Sequence, residues 1–453
     1  VLERDSARRA PLQVLHTAAG GDRLSEIVRH CEVAIVGAGA AGLAAARVLA
    51  EQRRSVVILE ARERIGGRIL TREDARRAIP LELGAEFIHG TAEISFALLR
   101  AAGSVAIDTV DQSFIVERGT VREADDAFEG ADRALRGARA LAHDVSIAEY
   151  ARTLDADAQR ALLTMVAGFD AADPARASTR AIVAEWRDDV HGQTARSFRP
   201  LGGYQPLLRA LRGALPPEHV QLVLRTPVET IRSDARGALL EAGPGGQVRA
   251  RVVIVTVPVG VLQAGCPAFD PPLPPRIREA LGYLVMGPVH KLVLRFRRRF
   301  WETVAGGRFA DAAFFRLAEG PFPALWTLLP LRVPVLVAWA GGPNAEALAD
   351  CTPEERLARA LEGVRAIVGT EVDPRAELEA VDAHDWQRDP YARGAYSYVA
   401  VGGEHARAVL ATPAPPLFFA GEATAGPSEA GTVAGALLSG ERAAREALTA
   451  LRG

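Results

Sequence analysis

Lysine is almost missing from this chain. Of its 54 lysine and arginine residues one alone, Lys291, is a lysine, and 53 are arginine. Together with the richness in Ala and Gly this has the mark of a codon bias that replaces lysine wherever a cation alone suffices. The position that kept its ammonium is then a candidate for chemistry, because an ammonium is compact, loses its proton when desolvated and holds one water as a point donor. Cysteine is scarce as well. Cys31, Cys266 and Cys351 stand far apart, with no C-x-x-C spacing and no Cys/His cluster, which argues against a disulfide framework and against any metal site. No apolar run can span a bilayer, since the longest, Val252 to Leu262, contains Pro258 and Gly260. Neither sign of charge prevails: 56 acidic residues are interspersed among the basic ones and the net charge is −2, so no basic face for nucleic acid is expected. Residues 1–30 read as a polar N-terminal extension without the apolar core of a signal peptide. The chain starts with Val, so a leader removed before residue 1 is compatible with it, and a cytoplasmic location is expected.

What is present is a globular composition, 49% hydrophobic and 24% charged over 453 residues, enough for two or three domains and a large core. The stretch Val33 to Gly42, V-A-I-V-G-A-G-A-A-G, runs into the helix-like L-A-A-A-R-V-L-A. It predicts a buried strand, a turn and a helix. In such a unit Gly37 permits the turn, Gly39 lets a pyrophosphate touch the backbone, Gly42 lets helix and strand pack closely, and phosphates rest on the helix N-terminus. A second apolar run, Val56 to Leu59, ends in Glu60, eighteen positions past Gly42, where an acid holds ribose hydroxyls and disfavours a 2′-phosphate.

Further along, Glu60 to Arg68 gives E-A-R-E-R-I-G-G-R. Its Gly-Gly turn and Arg68 could meet the same pyrophosphate. Leu81 to Gly90, L-E-L-G-A-E-F-I-H-G, offers close backbone approach at Gly84-Ala85 and a lone His89. Residues 91–200 read as mostly helical, with few strand-like runs. Strands are expected at Val220 to Leu224, Val252 to Val257 and His290 to Phe296, the last carrying Lys291, with antiparallel strands over 310–340 and a helix over Pro353 to Val368. Trp386 to Tyr398, W-Q-R-D-P-Y-A-R-G-A-Y-S-Y, suits a loop lining a flat ligand. A final strand, Leu417 to Ala420, leads to Gly421-Glu422, and Gly431-Thr432 opens a last helix whose N-terminus could face a ring that gains negative charge.

These pieces, in this order from residue 33 to 440, resemble the flavin-containing amine oxidase family, which includes monoamine oxidases, polyamine oxidases and lysine-specific histone demethylases. The resemblance implies an α/β fold, a doubly wound Rossmann-like FAD-binding domain built from separated segments (31–90, 201–285 and 386–453), with an inserted α+β substrate domain comprising a helical segment (91–200) and a sheet segment (286–385). It implies FAD contacts at Gly37, Gly39, Gly42, Glu60, Arg62, Gly67, Arg68, Gly84, Ala85, Glu86, Val228, Trp386, Gly421, Glu422, Thr432 and Val433. Lys291 matches the lysine that holds a water next to flavin N5, His89 an active-site histidine of spermine-type oxidases, Tyr396 one wall of an aromatic cage, and Thr432 stands where many relatives have the second wall. No metal is implied. The partners implied are a small-molecule amine and molecular oxygen, with a homodimer left open.

Two departures from the family pattern matter: Ala395 stands at the position of the flavin-linking cysteine, and Thr432 leaves the cage with one aromatic wall. The chain also has no heptad segment to build the long helical hairpin of the histone demethylases. The activity implied is oxidation of a primary or secondary amine, with a polyamine among the candidates, to an imine that hydrolyses to a carbonyl, oxygen being reduced to hydrogen peroxide. An L-amino-acid oxidase of the same fold is the alternative, needing an arginine to clamp the carboxylate; a non-catalytic flavin-binding protein would not need Lys291 or the cage loop. Where monoamine oxidases attach flavin through a cysteine this chain has Ala395, so acid precipitation should release the yellow colour into the supernatant. Colour retained in the pellet would contradict non-covalent binding.

Overall fold

A computed structural model of the chain describes residues 28–73, 79–109, 112–124, 127–186, 196–243 and 246–452. Residues 1–27 of the N-terminal extension lie outside these. Among the described residues eight strands form the first sheet. Its parallel centre runs Val220–Val223, Val56–Leu59, Val28–Val36, Gln247–Val255, and Leu417–Phe419 pairs with the second half of the last of these. Val33 to Val36 and Val56 to Leu59 are buried throughout, as expected of parallel strands covered on both faces. Helix Ala40–Glu51 packs one face of this sheet together with the final helix Val433–Arg452, and Gly440 is where they touch: a Cβ there would come within 2.1 Å of the Ala41 carbonyl oxygen. This is the Rossmann-like architecture that the G-x-G-x-x-G stretch predicts.

The second sheet has seven described strands in the order Leu378–Ala383, Val289–Phe296, Val335–Gly341, Ala324–Thr327, Phe314–Leu317, Ser113–Glu117 and Thr120–Ala124. The strand bearing Lys291 lies between two partners, and all but Arg295 of its eight residues are buried. Side chains alternate along it. Leu292, Leu294 and Phe296 join a core of Phe300, Trp301 and Phe315, while Val293 faces Leu81, Leu83, Trp326 and Val337. Lys291 shares this second face by the period of two, which turns it toward the segment that leaves the first sheet.

Residues 91–200 are less helical than the sequence reading had them. The hairpin Ser113–Glu117/Thr120–Ala124 belongs to the second sheet, where Phe114 pairs with Phe315, and Ala106–Asp108 pairs with Ser197–Pro200. The hairpin was missed because it is short and charged on its outer face, so its only apolar alternation is Phe114 and Val116. The remaining helices of this region, among them Ala156–Gly168 and Thr179–Trp186, surround a core of Ile147, Tyr150, Leu162 and Ile182. Helix Pro353–Val368 has the expected bounds, with Thr352 and Glu355 forming a reciprocal capping box.

Candidate active site

The glycine turn sits at the carboxyl ends of the parallel strands. Gly37 adopts φ +106°, and a Cβ on Gly42 would lie 2.0 Å from the Gly37 carbonyl oxygen, so turn and helix can close only with hydrogen at both positions. Gly39 is different, because a Cβ there would meet nothing within 4 Å. The helix that follows has no side-chain cap at its N-terminus. Open space in front of uncapped N–H groups is a fit for a phosphate. Glu60 stands beside it, buried, with its carboxylate accepting from Ala38 N at 2.7 Å and Arg62 N at 2.9 Å. Burial raises its affinity for a proton, with the two N–H donors and the Arg62 and Arg64 charges opposing. The Gly66-Gly67 turn folds over Gly39, bridging Gly39 to Gly66. Arg225 and Thr226 bond back to Arg62 and Glu60, which brings half-buried Val228 alongside. Arg62 itself turns away, its guanidinium gripping Asp389 in two bonds of 2.8 Å. Arg62 and His384 hold the Asp389 carboxyl far below the usual range against the effect of burial.

Arg68 bonds the Ala395 carbonyl oxygen and the Glu422 carboxylate, both at 2.8 Å. Glu422 also accepts from Ser397 Oγ at 2.7 Å, and Ser397 in turn receives Arg407, which bonds Glu185 at 3.0 Å. Although burial works the other way, Arg68 and Arg407 keep the Glu422 carboxyl below the usual range. Gly421, just before it, has φ +136° and open space on the side where a Cβ would stand.

Lys291 is 4% exposed. Its Nζ lies 2.6 Å from Glu86 Oε2 and donates to the Gly84 carbonyl oxygen at 3.2 Å, with the Trp326 ring 6.0 Å away. The other oxygen of Glu86 accepts from Arg199 Nε at 2.9 Å and from Trp326 Nε1 at 3.0 Å. Burial alone would raise the Glu86 proton affinity, but the charges and hydrogen bonds of Lys291 and Arg199 pull its pKa down to about 2. Gly84 is wedged here, since a Cβ would be 2.0 Å from the Arg68 carbonyl oxygen and 3.1 Å from the Trp386 ring. Trp386 is fixed by its Nε1 donating to the Leu83 carbonyl oxygen at 3.0 Å.

Tyr396 and Gly431-Thr432 are neighbours: a Cβ on Gly431 would lie 3.4 Å from the Tyr396 ring. The Thr432 hydroxyl is taken up in capping the last helix, accepting from Gly435 N at 2.9 Å, with Val433 as the first helical residue. The Tyr396 hydroxyl donates to the Phe169 carbonyl oxygen. The Phe169 ring packs edge-on to His89 at 5.2 Å, and His89 Nδ1 meets Ser197 Oγ at 2.9 Å. Burial lowers the His89 pKa to about 4, so its ring is neutral at pH 7. Next to Phe169 stands Asp170. Burial, then the nearby Glu185 charge, push its pKa well up; Trp186 Nε1 approaches one oxygen at 3.4 Å and the other has no hydrogen-bond partner among the described residues.

The fold thus gathers Lys291, Glu86, Gly84, Ala85, Arg68 and Trp386 at one locus, Gly37, Gly39, Gly42, Gly67, Glu60 and Val228 at a second, and Tyr396, Thr432 and His89 at a third. Sequence reasoning missed Arg199, Trp326, Asp170, Glu185 and Arg407, and it gave Glu86 to the cofactor, whereas both oxygens of this side chain are engaged by Lys291, Arg199 and Trp326. No local pattern signals such partners, which lie 113 to 240 positions apart in the chain.

Residues 118–448 match the family model of flavin containing amine oxidoreductases, and residues 35–102 match that of NAD(P)-binding Rossmann-like domains. The chain belongs to the flavin containing amine oxidoreductase family. It is 27% identical to polyamine oxidase 4 of Oryza sativa subsp. japonica over 94% of this chain and 91% of that protein. To lysine-specific histone demethylase 1 homolog 3 of Oryza sativa subsp. indica it is 30% identical, over 92% of this chain but only 54% of that protein. The fold is shared with a putrescine oxidase bound to putrescine (TM-score 0.78, 24% identity, 93% of this chain and 100% of that one) and with cyclohexylamine oxidase from Brevibacterium oxydans (TM-score 0.79, 22% identity, 93% and 100%). The protein is therefore an oxidoreductase of a flavin-dependent class that acts on amines. None of the described helices is long and apolar enough to cross a membrane.

Because Glu86 serves two cations, its loss and the loss of Lys291 should differ. Glu86→Gln strands Lys291 and Arg199 together in a buried place and should cost about 3–5 kcal/mol. Lys291→Met leaves the Glu86–Arg199 bond in place and should cost about 1–2 kcal/mol, within the ordinary range for a point substitution. Urea unfolding of both variants checks the order. An equal or larger loss in Lys291→Met would contradict the shared-carboxylate geometry.

Proposed function

We propose that this chain is an FAD-dependent amine oxidase, with FAD held non-covalently and molecular oxygen as the acceptor. The observation that carries the reading is the sole lysine, buried at the meeting of the two sheets and held by Gly84 and Glu86. In this reading the uncapped helix after Gly39 receives the pyrophosphate, with Gly37, Gly42, Gly67 and Arg68 shaping its surroundings, and Glu60 takes the adenosine ribose. Val228 lies along the adenine, Glu422 reaches the sugar chain after Gly421, and Thr432-Val433 present the N-terminus of the last helix to the pyrimidine edge. The bound flavin would supply the two-electron acceptor for hydride from the carbon next to nitrogen. Lys291 positions a water at the ring and places a compact cation where oxygen gains negative charge.

The substrate end follows from the third locus. Tyr396 gives one flat wall, and Thr432 leaves the opposite side open to a secondary or branched amine. His89 is neutral above its pKa of about 4, so it can hydrogen-bond an amine at neutral pH without repelling an ammonium. Asp170, with an oxygen unpartnered among the described residues, gives up its proton when the substrate brings a second positive charge and then pairs with it, which points to a diamine or polyamine. A polyamine oxidase relative at 27% identity supports the same class.

Anaerobic mixing with a panel of polyamines, monoamines and L-amino acids tests this, flavin bleaching reporting reduction and peroxide release following on admission of oxygen. Asp170→Asn should lower kcat/KM for a diamine about tenfold or more relative to a monoamine of equal length, the size of a charge-assisted hydrogen bond. Bleaching by amino acids alone would overturn the amine reading, and equal losses for both amines would remove Asp170 from recognition.

A further inference from the structure

Beside Glu86, the partner of Lys291, lies a cavity of about 40 Å³ bounded by Ile79, Glu82, Glu86, Arg199, Gly202 and Leu331 among others. Ile79, Gly202 and Leu331 are half-buried and form its outer rim. At one probe sphere, roughly 10–15 Å³, for each water, it has room for about three or four. Glu82 is 8% exposed. One of its oxygens accepts from Tyr204 N at 2.6 Å and Thr71 Oγ1 at 2.7 Å, while the other is buried without a hydrogen-bond partner among the described residues. A buried carboxyl oxygen that no donor among the described residues reaches, beside a mostly apolar cavity whose charged groups are Glu82, Glu86 and Arg199, is a place where a proton can reside.

The charges facing Glu82 come from several elements. Glu86 and Arg199 share the cavity wall, and Lys291 acts on Glu82 from the neighbouring strand of the second sheet. Arg72, on the strand paired with Leu81–Glu82, is committed to Asp382 at 2.6 Å. Tyr204 contributes its N–H, and its hydroxyl donates instead to the Phe87 carbonyl oxygen. Burial is the largest effect and moves the Glu82 pKa up to about 7; the Tyr204 N–H, the Thr71 hydroxyl and then Lys291 favour the charged form, and Glu86 disfavours it. The balance is fine enough for a new negative charge near Lys291 to tip it.

We propose that Glu82 is the proton store of the reaction centre, loaded through the waters of this cavity when negative charge arises beside Lys291 and emptied when that charge leaves. The inference rests on the flavin reading above. Substrate oxidation moves a hydride, two electrons and one proton together, from carbon to the ring, which gains one negative charge; Glu82 then takes one proton from the cavity and becomes neutral. On reoxidation oxygen accepts two electrons, the hydrogen that came as hydride and the proton held by Glu82. Hydrogen peroxide leaves, and Glu82 is again a carboxylate.

The pH dependence of the flavin reduction potential, measured spectroelectrochemically with mediator dyes and no substrate, tests this without reference to turnover. Flavin reduced to its anion takes up one proton for two electrons. Wild type should show this number rising toward two as pH increases through and above 7, where oxidised enzyme has lost the Glu82 proton and reduced enzyme regains it. Glu82→Gln should stay at one throughout. A value of one in wild type, or the same rise in the variant, would overturn the proposal. Should the variant fail to fold, the infrared difference spectrum of wild type labelled with ¹³C-glutamate decides: a protonated glutamic acid band must appear on reduction, and its absence would contradict the store. A chain that binds no flavin would overturn both readings, whereas flavin that binds and reduces with a constant one-proton slope overturns this one alone.

Discussion

One carboxylate joins the parts of this molecule that the reaction needs together. Glu86 comes from the segment leaving the nucleotide-binding sheet, Lys291 from the middle of the second sheet, Arg199 from the short strand that follows the helical region, and Trp326 from a further strand of the second sheet. A buried pair of this kind is weak as a source of net stability, because desolvation offsets attraction. Its effect is positional. With two cations and an indole on Glu86, the Lys291 ammonium has little freedom, and Gly84, pinned between Arg68 and Trp386, fixes the backbone that accepts its other hydrogen bond.

The second cluster is balanced differently: Arg68 and Arg407 together face Glu422 and Glu185, which matches two cations to two carboxylates. Asp170 lies outside this accounting and Glu82 lies outside the first. Each keeps one oxygen without a hydrogen-bond partner among the described residues. Asp170 lies close to Tyr396, whose hydroxyl it disfavours ionising, and Glu82 lines the small cavity that Glu86 and Arg199 also border. An oxygen unpartnered among the described residues and a raised affinity for a proton separate these two from the structural ion pairs around them.

Much of the architecture was legible in the sequence because it depends on local chemistry. The strand, glycine turn and helix from Val33, the strand around Lys291 and the helix Pro353–Val368 each follow from periodicity and capping within one element. The hairpin 113–124 was not legible, since its strands are short and one has only Val121 and Ala124 as apolar residues, and its place in the second sheet depends on pairing with residues two hundred positions away. In the candidate site, the glycines, Glu60 and the solitary lysine announce themselves by spacing or rarity. Glu86 did not show its role, for an acid in L-G-A-E-F is equally a surface residue or a counter-ion until the lysine strand is laid against it. Asp170 was hidden for the same reason, being one of many aspartates in a helical region.

The central claim is that Lys291 acts as a compact cation held at one point beside the flavin. The direct test is stopped-flow mixing of photoreduced enzyme with oxygen, comparing wild type, Lys291→Met and Lys291→Arg. An arginine keeps charge but presents a planar fork in a slot shaped for a single ammonium between Glu86 and Gly84. The account predicts that flavin stays bound in both variants, that reoxidation slows in Lys291→Met, and that Lys291→Arg behaves more like Met than like wild type. Reoxidation at the wild-type rate in Lys291→Arg would show that charge alone matters, and wild-type rates in both would contradict the account.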